Sequence, residues 1–290
     1  MPGTLYLVAT PIGNLDDMPP RVAATFAAAD FVAAEDTRVT LRLLNHLGLK
    51  KPLVSYYEHA LHHGAAILAR IQAGEDCALC SDAGMPCISD PGAVLVRDAL
   101  DAGIRVVPVP GASACITALA VSGQDTARFV FEGFLPRPKK ERRARLEALR
   151  REERTMLLYE APHRLRATLE DLSGALGVER SVTLCRELTK LHEEIVKTTL
   201  GAAAGHYCQA EPRGEYVLVV AGAQPGGADA APLTRQDVVA AARQLLADGA
   251  SPAAAAKQAA AGTPFARGEI YKELLADRAG PDADRSDGGE

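Results

Sequence analysis

Ten short apolar runs, spaced by helix-length stretches, constrain this chain most strongly. In the first part, strand-like runs at 5–9, 31–35, 53–56, 77–81 and 105–109 alternate with helical stretches at 21–29, 39–47, 60–73 and 94–102. Regular alternation of this kind predicts an α/β unit with a largely parallel sheet. After a helix at 114–122, a second set of strands follows at 129–134, 155–160, 181–186, 195–199 and 216–220, with helices at 141–151, 164–176 and 202–210. Its last strands come in closer succession, so the second sheet is expected to be mixed. The expected division is an α/β domain at 1–118, a second at 119–222, a Gly- and Pro-containing linker at 223–232, a helical module at 233–278 and a polar, disordered tail at 279–290. Within the module, helices are predicted at 234–247, 252–261 and 267–275, with Ser251 as an N-cap and Pro252 at the first helical position. Three short helices with Gly-containing turns suit a helix-turn-helix unit or a plain structural appendage equally well.

With 48% hydrophobic and 24% charged residues among 290, the composition is that of a globular protein. No apolar run reaches the length of a membrane span, and no basic segment with an apolar core opens the chain, so the expected compartment is the cytoplasm. Cys77 and Cys80 form a lone C-x-x-C inside a predicted buried strand, which reads as small core residues rather than half of a metal site; no metal is expected. A net charge of −5 argues against non-specific binding along nucleic acid, and no DNA or membrane partner is expected. One local basic run stands out against that balance: Arg137, Lys139, Lys140, Arg142, Arg143 and Arg145, with Arg150, Arg151 and Arg154 beyond it.

The strand ends carry the chemistry. Ser81-Asp82-Ala83-Gly84-Met85-Pro86-Cys87-Ile88-Ser89-Asp90-Pro91-Gly92 lies between a predicted strand and a predicted helix. Ligands of open α/β sheets bind at such carboxyl ends, and connections there usually run about 2–6 residues. This one is longer. Gly84 and Gly92 are expected to let a ligand approach the backbone, with Asp90 capping a helix that has Pro91 in its first turn. Four more strands end in turns rich in Pro, Gly and small residues: 9–15, 108–113, 134–136 and 159–164. No Walker A motif and no G-x-G-x-x-G after a strand is present. A mouth lined by such turns suits a ligand with an adenine, a ribose and a zwitterion better than a triphosphate.

Thr10-Pro11-Ile12-Gly13-Asn14-Leu15, Glu35-Asp36-Thr37-Arg38, Ser81-Asp82-Ala83-Gly84, the 109–113 and 159–164 turns and Arg186-Glu187-Leu188-Thr189-Lys190 together resemble the tetrapyrrole methylase superfamily, over about residues 3–222 in order. Within it they are most similar to the branch that methylates ribosomal RNA. Met85 and Cys87 stand where that pattern leads one to expect smaller residues. The resemblance implies two α/β domains of tetrapyrrole methylase type with a cofactor cleft between them, S-adenosylmethionine as cofactor, a homodimer, and 2′-O-methylation of a cytidine ribose in the decoding region of 16S rRNA, in the small ribosomal subunit. On it, Pro11, Gly13, Asp82, Ala83, Gly84, Met85, Ser113, Ala114, Leu135 and Tyr159 are expected around the cofactor.

The implied reaction is attack of a ribose hydroxyl on the sulfonium methyl. Alignment contributes roughly 7–11 kcal/mol to such a step, and a base about 10²–10⁴-fold. Glu35, Asp36, Glu160 and Glu187 are candidates for the base, with His163 as a further one; Lys190 is a candidate for lowering the hydroxyl's pKa or holding a phosphate. Arg38, Arg164 and Arg186, with Lys139, Lys140, Arg142, Arg143 and Arg145, are the candidate RNA contacts. Two other readings stay open: a methyltransferase of the same superfamily acting on a corrin-type macrocycle or a protein, and a non-enzymatic ribosome-assembly factor that binds RNA.

Overall fold

The computed structural model describes residues 1–57, 61–224, 235–261, 263 and 265–276. The tail expected at 279–290 and most of the linker expected at 223–232 lie outside these residues. The chain falls into two compact units, Met1–Ala223 and Gln224–Glu290.

The first unit opens with β1 (Thr4–Val8), α1 (Pro20–Ala28), β2 (Phe31–Ala34), α2 (Thr37–His46), β3 (Leu53–Ser55), α3 (Leu61–Gln72), β4 (Cys77–Cys80), α4 (Ala93–Asp101) and β5 (Arg105–Val109). The five strands form one sheet in the order β3-β2-β4-β1-β5, parallel throughout. Both faces are covered, which is why β2 and β4 are apolar at every position rather than alternating. On one face Leu5, Phe31, Leu79, Ile67 and Leu95 pack together; on the other, Val8, Val22, Phe26, Val32 and Leu44 do. Cys77 belongs to the first cluster and Cys80 to the second. Residues three apart on a strand point to opposite faces, so the C-x-x-C cannot close on one metal. Burial pushes each thiol up to about 12.

There follow α5 (Ala114–Val121), β6 (Phe129–Phe134), α6 (Lys139–Leu149), β7 (Thr155–Glu160), α7 (Pro162–Leu176), β8 (Ser181–Arg186), β9 (Glu194–Thr199), α8 (Leu200–Gln209) and β10 (Tyr216–Val220). The second sheet runs β6-β7-β10-β8-β9 and is mixed: β6 and β7 are parallel, and the remaining pairs are antiparallel. Tyr216, the first residue of β10, sits opposite both Glu160 and Arg186. The last residues of β7 and β8 and the start of β10 therefore meet at one edge. One face of this sheet packs on Leu146, Leu165, Leu169, Leu172 and Leu200; the other holds Leu157, Cys185, Val217 and Val219 against Cys115, Ala118 and Leu119 of α5. A division after residue 118 would thus cut a helix that packs on the second sheet. The change from one sheet to the other falls before Ala114.

The second unit contains α9 (Arg235–Ala247), α10 (Pro252–Ala260) and α11 (Arg267–Ala276) around Val238, Val239, Ala242, Ala255, Ala256, Ile270 and Leu274. Ser251 caps α10 by accepting from the Ala254 amide at 3.3 Å, and Arg235 pairs with Glu273 at 2.6 Å. Among the described residues no helix is long and apolar enough to cross a membrane.

Candidate active site

The 81–92 loop is held in a conformation that sequence pattern alone does not announce. Gly84, Cys87, Ser89 and Gly92 all have positive φ, at 84°, 74°, 62° and 136°, and for Cys87 and Ser89 that is strained. Thr10 ties the loop down: its amide donates to the Gly84 carbonyl at 2.9 Å, the Gly84 amide returns the bond at 3.0 Å, and its hydroxyl donates to the Ser81 carbonyl at 3.2 Å. Gly84 lines the cleft, and a Cβ there would only touch Ile12 Cγ2 at 3.4 Å and the Ala112 carbonyl at 3.8 Å, so its positive φ rather than crowding calls for glycine. Gly92 is crowded: a Cβ there would lie 2.6 Å from Cys87 Sγ and 3.0 Å from Leu79 Cδ2, so Gly92 serves the loop's own packing. The helix begins within one residue of the predicted 94–102 span, but its cap is not the expected one. Gly92, not Asp90, is the residue before α4, and Pro91 lies outside the helix, because the two strained residues keep the chain turning until position 92. Asp90 instead lines a cleft, where burial, with the charge of Asp82, holds its carboxyl above the usual range.

That cleft encloses about 260 Å³. Strand-end turns of the first sheet supply Ile12, Ala83, Gly84, Met85, Ile88, Ser113 and Ala114; the second sheet supplies Phe134, Tyr159, Glu160, Cys185, Glu187, Leu188, Lys190, Glu215 and Val217. The expected turns do share a mouth. Tyr159 is fixed edge-on between Phe131 and Phe134, with centroids 5.1 and 5.7 Å away, and its hydroxyl accepts from the Cys115 amide at 3.2 Å. Burial pushes the Tyr159 phenol well up, so it stays protonated. Ser113 precedes α5 without capping it, and Ala114 lies on the cleft, so the positive end of that helix faces the cavity.

Glu187, Lys190 and Glu215 form an ionic cluster on the opposite wall. Lys190 Nζ lies 2.9 Å from Glu187 Oε1 and 2.9 Å from Glu215 Oε2, and Glu187 Oε1 also accepts from the Glu215 amide at 2.8 Å. Glu187 and Thr189 adopt positive φ, 49° and 65°, to fold the turn back on itself. Gly13 and Gly214 make room: a Cβ on Gly13 would collide with the Lys190 stem, and one on Gly214 with the Glu187 side chain. Burial by itself would raise Glu187, but the Glu215 amide and the Lys190 ammonium outweigh it and leave the carboxyl below its usual value. Burial by itself would lower Lys190, and the bonds to Glu215 and Glu187 outweigh it and raise it. Near neutral pH the pair is ionised, so Lys190 acts as a fixed cation rather than a proton acceptor.

Other expected residues fall elsewhere. Pro11, Gly13 and Asp82 line a separate pocket against α2, not the cleft. Leu135, expected on the cofactor wall, is 2% exposed and packs in the core beneath. A register shift between Phe131 and Gly133 inserts one extra residue into β6 and reverses the alternation beyond it, turning Phe134 to the cleft and Leu135 inward. Asp36 caps α2, accepting from the Arg38 amide at 2.8 Å and pairing with the Arg38 guanidinium at 2.6 Å, which hold its carboxyl down at about 2; it lines neither cavity. Glu35 sits half-buried beside the Asp82 amide, and burial raises its pKa, with the charge of Asp90 adding. Glu160 borders the cleft, but Thr168, the Ala161 amide and Arg164 at 3.4 Å hold its carboxylate.

The basic set divides in the same way. Arg142 pairs with Asp171 at 2.5 Å and bonds Thr168 at 2.9 Å; Arg145 forks onto Glu132 with two bonds of 2.6 Å; Arg164 donates to the Leu135 carbonyl at 2.8 Å; Arg186 lies 3.2 Å from Glu194. Lys139, Lys140 and Arg143 are exposed. Phe134 and Leu188 fall within a turn and a motif singled out from the sequence, whereas Cys185, Glu215, Tyr216 and Val217 lie on or beside predicted strands and carry no such signal.

Two sheets whose strand ends frame a cleft, with a mixed second sheet, define a methylase-type fold, and comparison bears this out. The profile of the Tetrapyrrole (Corrin/Porphyrin) Methylases matches residues 4–204, and the chain belongs to that family. It is 48% identical to the ribosomal RNA small subunit methyltransferase I of Synechocystis sp., over 95% of this chain and 99% of that one. It is 42% identical to the protein of the same name from Bacillus subtilis, over 93% of each. Among solved structures it is similar to uroporphyrin III C-methyl transferase from Thermus thermophilus (TM-score 0.55, 17% identity, 76% of this chain and 97% of that one) and to diphthine synthase (TM-score 0.58, 15% identity, 76% and 90%). At those identities the solved structures speak for the fold alone.

Proposed function

We propose that this chain is an S-adenosylmethionine-dependent methyltransferase that modifies 16S rRNA of the small ribosomal subunit, at the 2′-hydroxyl of a cytidine. The agreement of relatives at 42–50% identity on one ribosomal RNA methyltransferase name carries the substrate class. The cleft supports the donor assignment. Phe134 and Tyr159 offer an aromatic wall for adenine, the N-terminal end of α5 at Ser113 and Ala114 suits a carboxylate, and the acidic Asp90 and Glu187 suit an ammonium group and ribose hydroxyls. When bound, the cofactor supplies an activated methyl group; the chain's residues align it, exclude water and hold charge around it. In this reading Lys190, fixed between two carboxylates, offsets part of their charge, and Glu187, held below its usual pKa, is a weak proton acceptor, so alignment carries most of the step. Lys139, Lys140 and Arg143 on α6 are the cations free to meet phosphates. Homodimer formation is supported by β9, an edge strand with Ile195 and Val196 both exposed.

The test is transfer of label from radiolabelled S-adenosylmethionine to small subunits that lack the modification, followed by mapping. Label on one cytidine ribose of 16S rRNA is the expected result. Label on a base, on protein or nowhere, with the cofactor tightly bound, would refute the assignment of substrate while leaving that of the donor.

A further inference from the structure

The pocket against α2 is a second built cavity, of about 310 Å³, within the range of small-molecule sites. It backs directly onto the main cleft. Ile12 lines the cleft while its neighbours Pro11 and Gly13 line the pocket; Asp82 lines the pocket and Ala83 the cleft. Consecutive Cα atoms are about 3.8 Å apart, so the two cavities share a wall one residue thick at two places. Methyl transfer needs the acceptor oxygen about 3–3.5 Å from the donor methyl, so the two sites must adjoin as these cavities do, with the acceptor's ribose reaching past this wall to the cleft.

From it we infer that the pocket against α2 receives the target nucleotide, unstacked from the RNA, with its amino-bearing base inside and its phosphate at the rim. This rests on the RNA-methylation reading above and adds the place where the acceptor binds. Val39, Arg42, Leu43 and His46 fall at i, i+3, i+4 and i+7 of α2, on one helix face, and all line the pocket. Val39, Leu43 and Leu15 offer the apolar surfaces between which extruded bases are held. Among the described residues of the lining Asp82 is the one carboxylate: its Oδ1 accepts from the Asp36 amide at 3.0 Å, which orients the group and leaves Oδ2 to accept from an exocyclic amine. Arg42 and His46 are both exposed, and at the rim they suit a phosphate.

The test uses the full chain and two variants, Leu15→Trp, which fills the pocket from an exposed position without altering charge, and the pair Arg42→Ala with His46→Ala. Three quantities are read: affinity for S-adenosylhomocysteine by calorimetry, affinity for a fluorescently labelled single-stranded oligoribonucleotide from the 16S decoding region, and KM for small subunits. Both variants are expected to weaken oligonucleotide binding and raise KM by at least about 10-fold, the usual penalty for removing one pocket interaction, with affinity for S-adenosylhomocysteine within about twofold. Unchanged oligonucleotide binding by Leu15→Trp overturns the proposal whether or not the wild type methylates subunits. Loss of S-adenosylhomocysteine binding by the same variant also overturns it, since the pocket would then belong to the donor. A wild type that binds the oligonucleotide through this pocket but transfers no methyl to subunits would refute the substrate reading and leave the pocket assignment standing.

Discussion

The loop after β4 and the basic run on α6 are the two segments whose composition most suggests function, and the structure treats them in opposite ways. The loop spends its unusual residues on shape: two non-glycine residues in the left-handed region, a glycine wedged against a thiol, and a two-bond tie to Thr10. Together they fix the loop whose residues Ala83, Gly84, Met85, Ile88, Ser89 and Asp90 line the cleft. The run on α6 commits part of its charge to the fold itself, since Arg142 and Arg145 are bound to Asp171 and Glu132, while Lys139, Lys140 and Arg143 face outward. Composition locates charge; the partners decide whether it is available.

Three experiments sharpen that contrast. The largest effect is expected from Gly92→Val, which puts a side chain at φ 136° against Cys87 and Leu79. Strain of this kind costs about 1–3 kcal/mol, so thermal denaturation should show a lowered midpoint, and calorimetry should show S-adenosylmethionine affinity reduced by roughly 10–100-fold. Wild-type affinity in this variant would mean that the loop's shape is not what the cofactor reads.

Next in size is Lys190→Met, which leaves Glu187 and Glu215 facing each other without the ammonium between them. Single-turnover methyl transfer should slow by about 10²-fold, the usual penalty for losing alignment at a reacting centre. The pH dependence has a definite sign. Glu187 is held below its usual 4.5, so its stabilising effect is fully present above that pH and disappears as pH falls through the lower folded value; Lys190 is held above its usual 10.5, so its effect is fully present below that pH and disappears only as pH rises through the higher folded value. Wild-type stability should therefore show no step from this pair between about pH 6 and 9. A titration step there that vanishes in Lys190→Met would contradict the ionised pair.

The smallest effects separate the two halves of the basic run. Reversing Lys139, Lys140 and Arg143 to Glu should raise KM for subunits by about 10-fold and flatten its salt dependence, by roughly 0.7–0.9 in slope for each phosphate no longer neutralised, with the melting point unchanged. Arg142→Ala should do the reverse, lowering stability by about 1 kcal/mol as its bonds to Thr168 and Asp171 disappear, with KM nearly unchanged. Equal KM effects from the two variants would erase the distinction.

Where the sequence was legible, it was so through periodicity. β5, β6, β7, β8 and β10 occupy the spans that their apolar runs predict, β2, β3, β4 and β9 differ by a residue at one end, and β1 is shifted by one residue. Shared direction at the cleft edge also followed from the α/β alternation, since parallel strands put their carboxyl ends together. The differences are local and have local causes. The cap of α4 departs from expectation because positive φ at Cys87 and Ser89 leaves no mark in residue type. Leu135 lies on the other side of β6 because a one-residue bulge reverses the alternation after Phe131. Asp82 and Pro11 part from their neighbours because adjacent residues on an extended turn face opposite ways and so line different cavities. Glu215 and Val217 escape a search of strand ends because β10 enters the site from its start.

The central claim is that the donor occupies the cleft at the sheet edges and leaves the pocket against α2 for the acceptor. A crystal structure of the full chain with S-adenosylhomocysteine tests it most directly. The account predicts the ligand between Ile12, Met85 and Ser113 on one side and Phe134 and Tyr159 on the other, with the pocket lined by Val39, Leu43 and Asp82 free of it. S-adenosylhomocysteine seated against α2 would contradict the account.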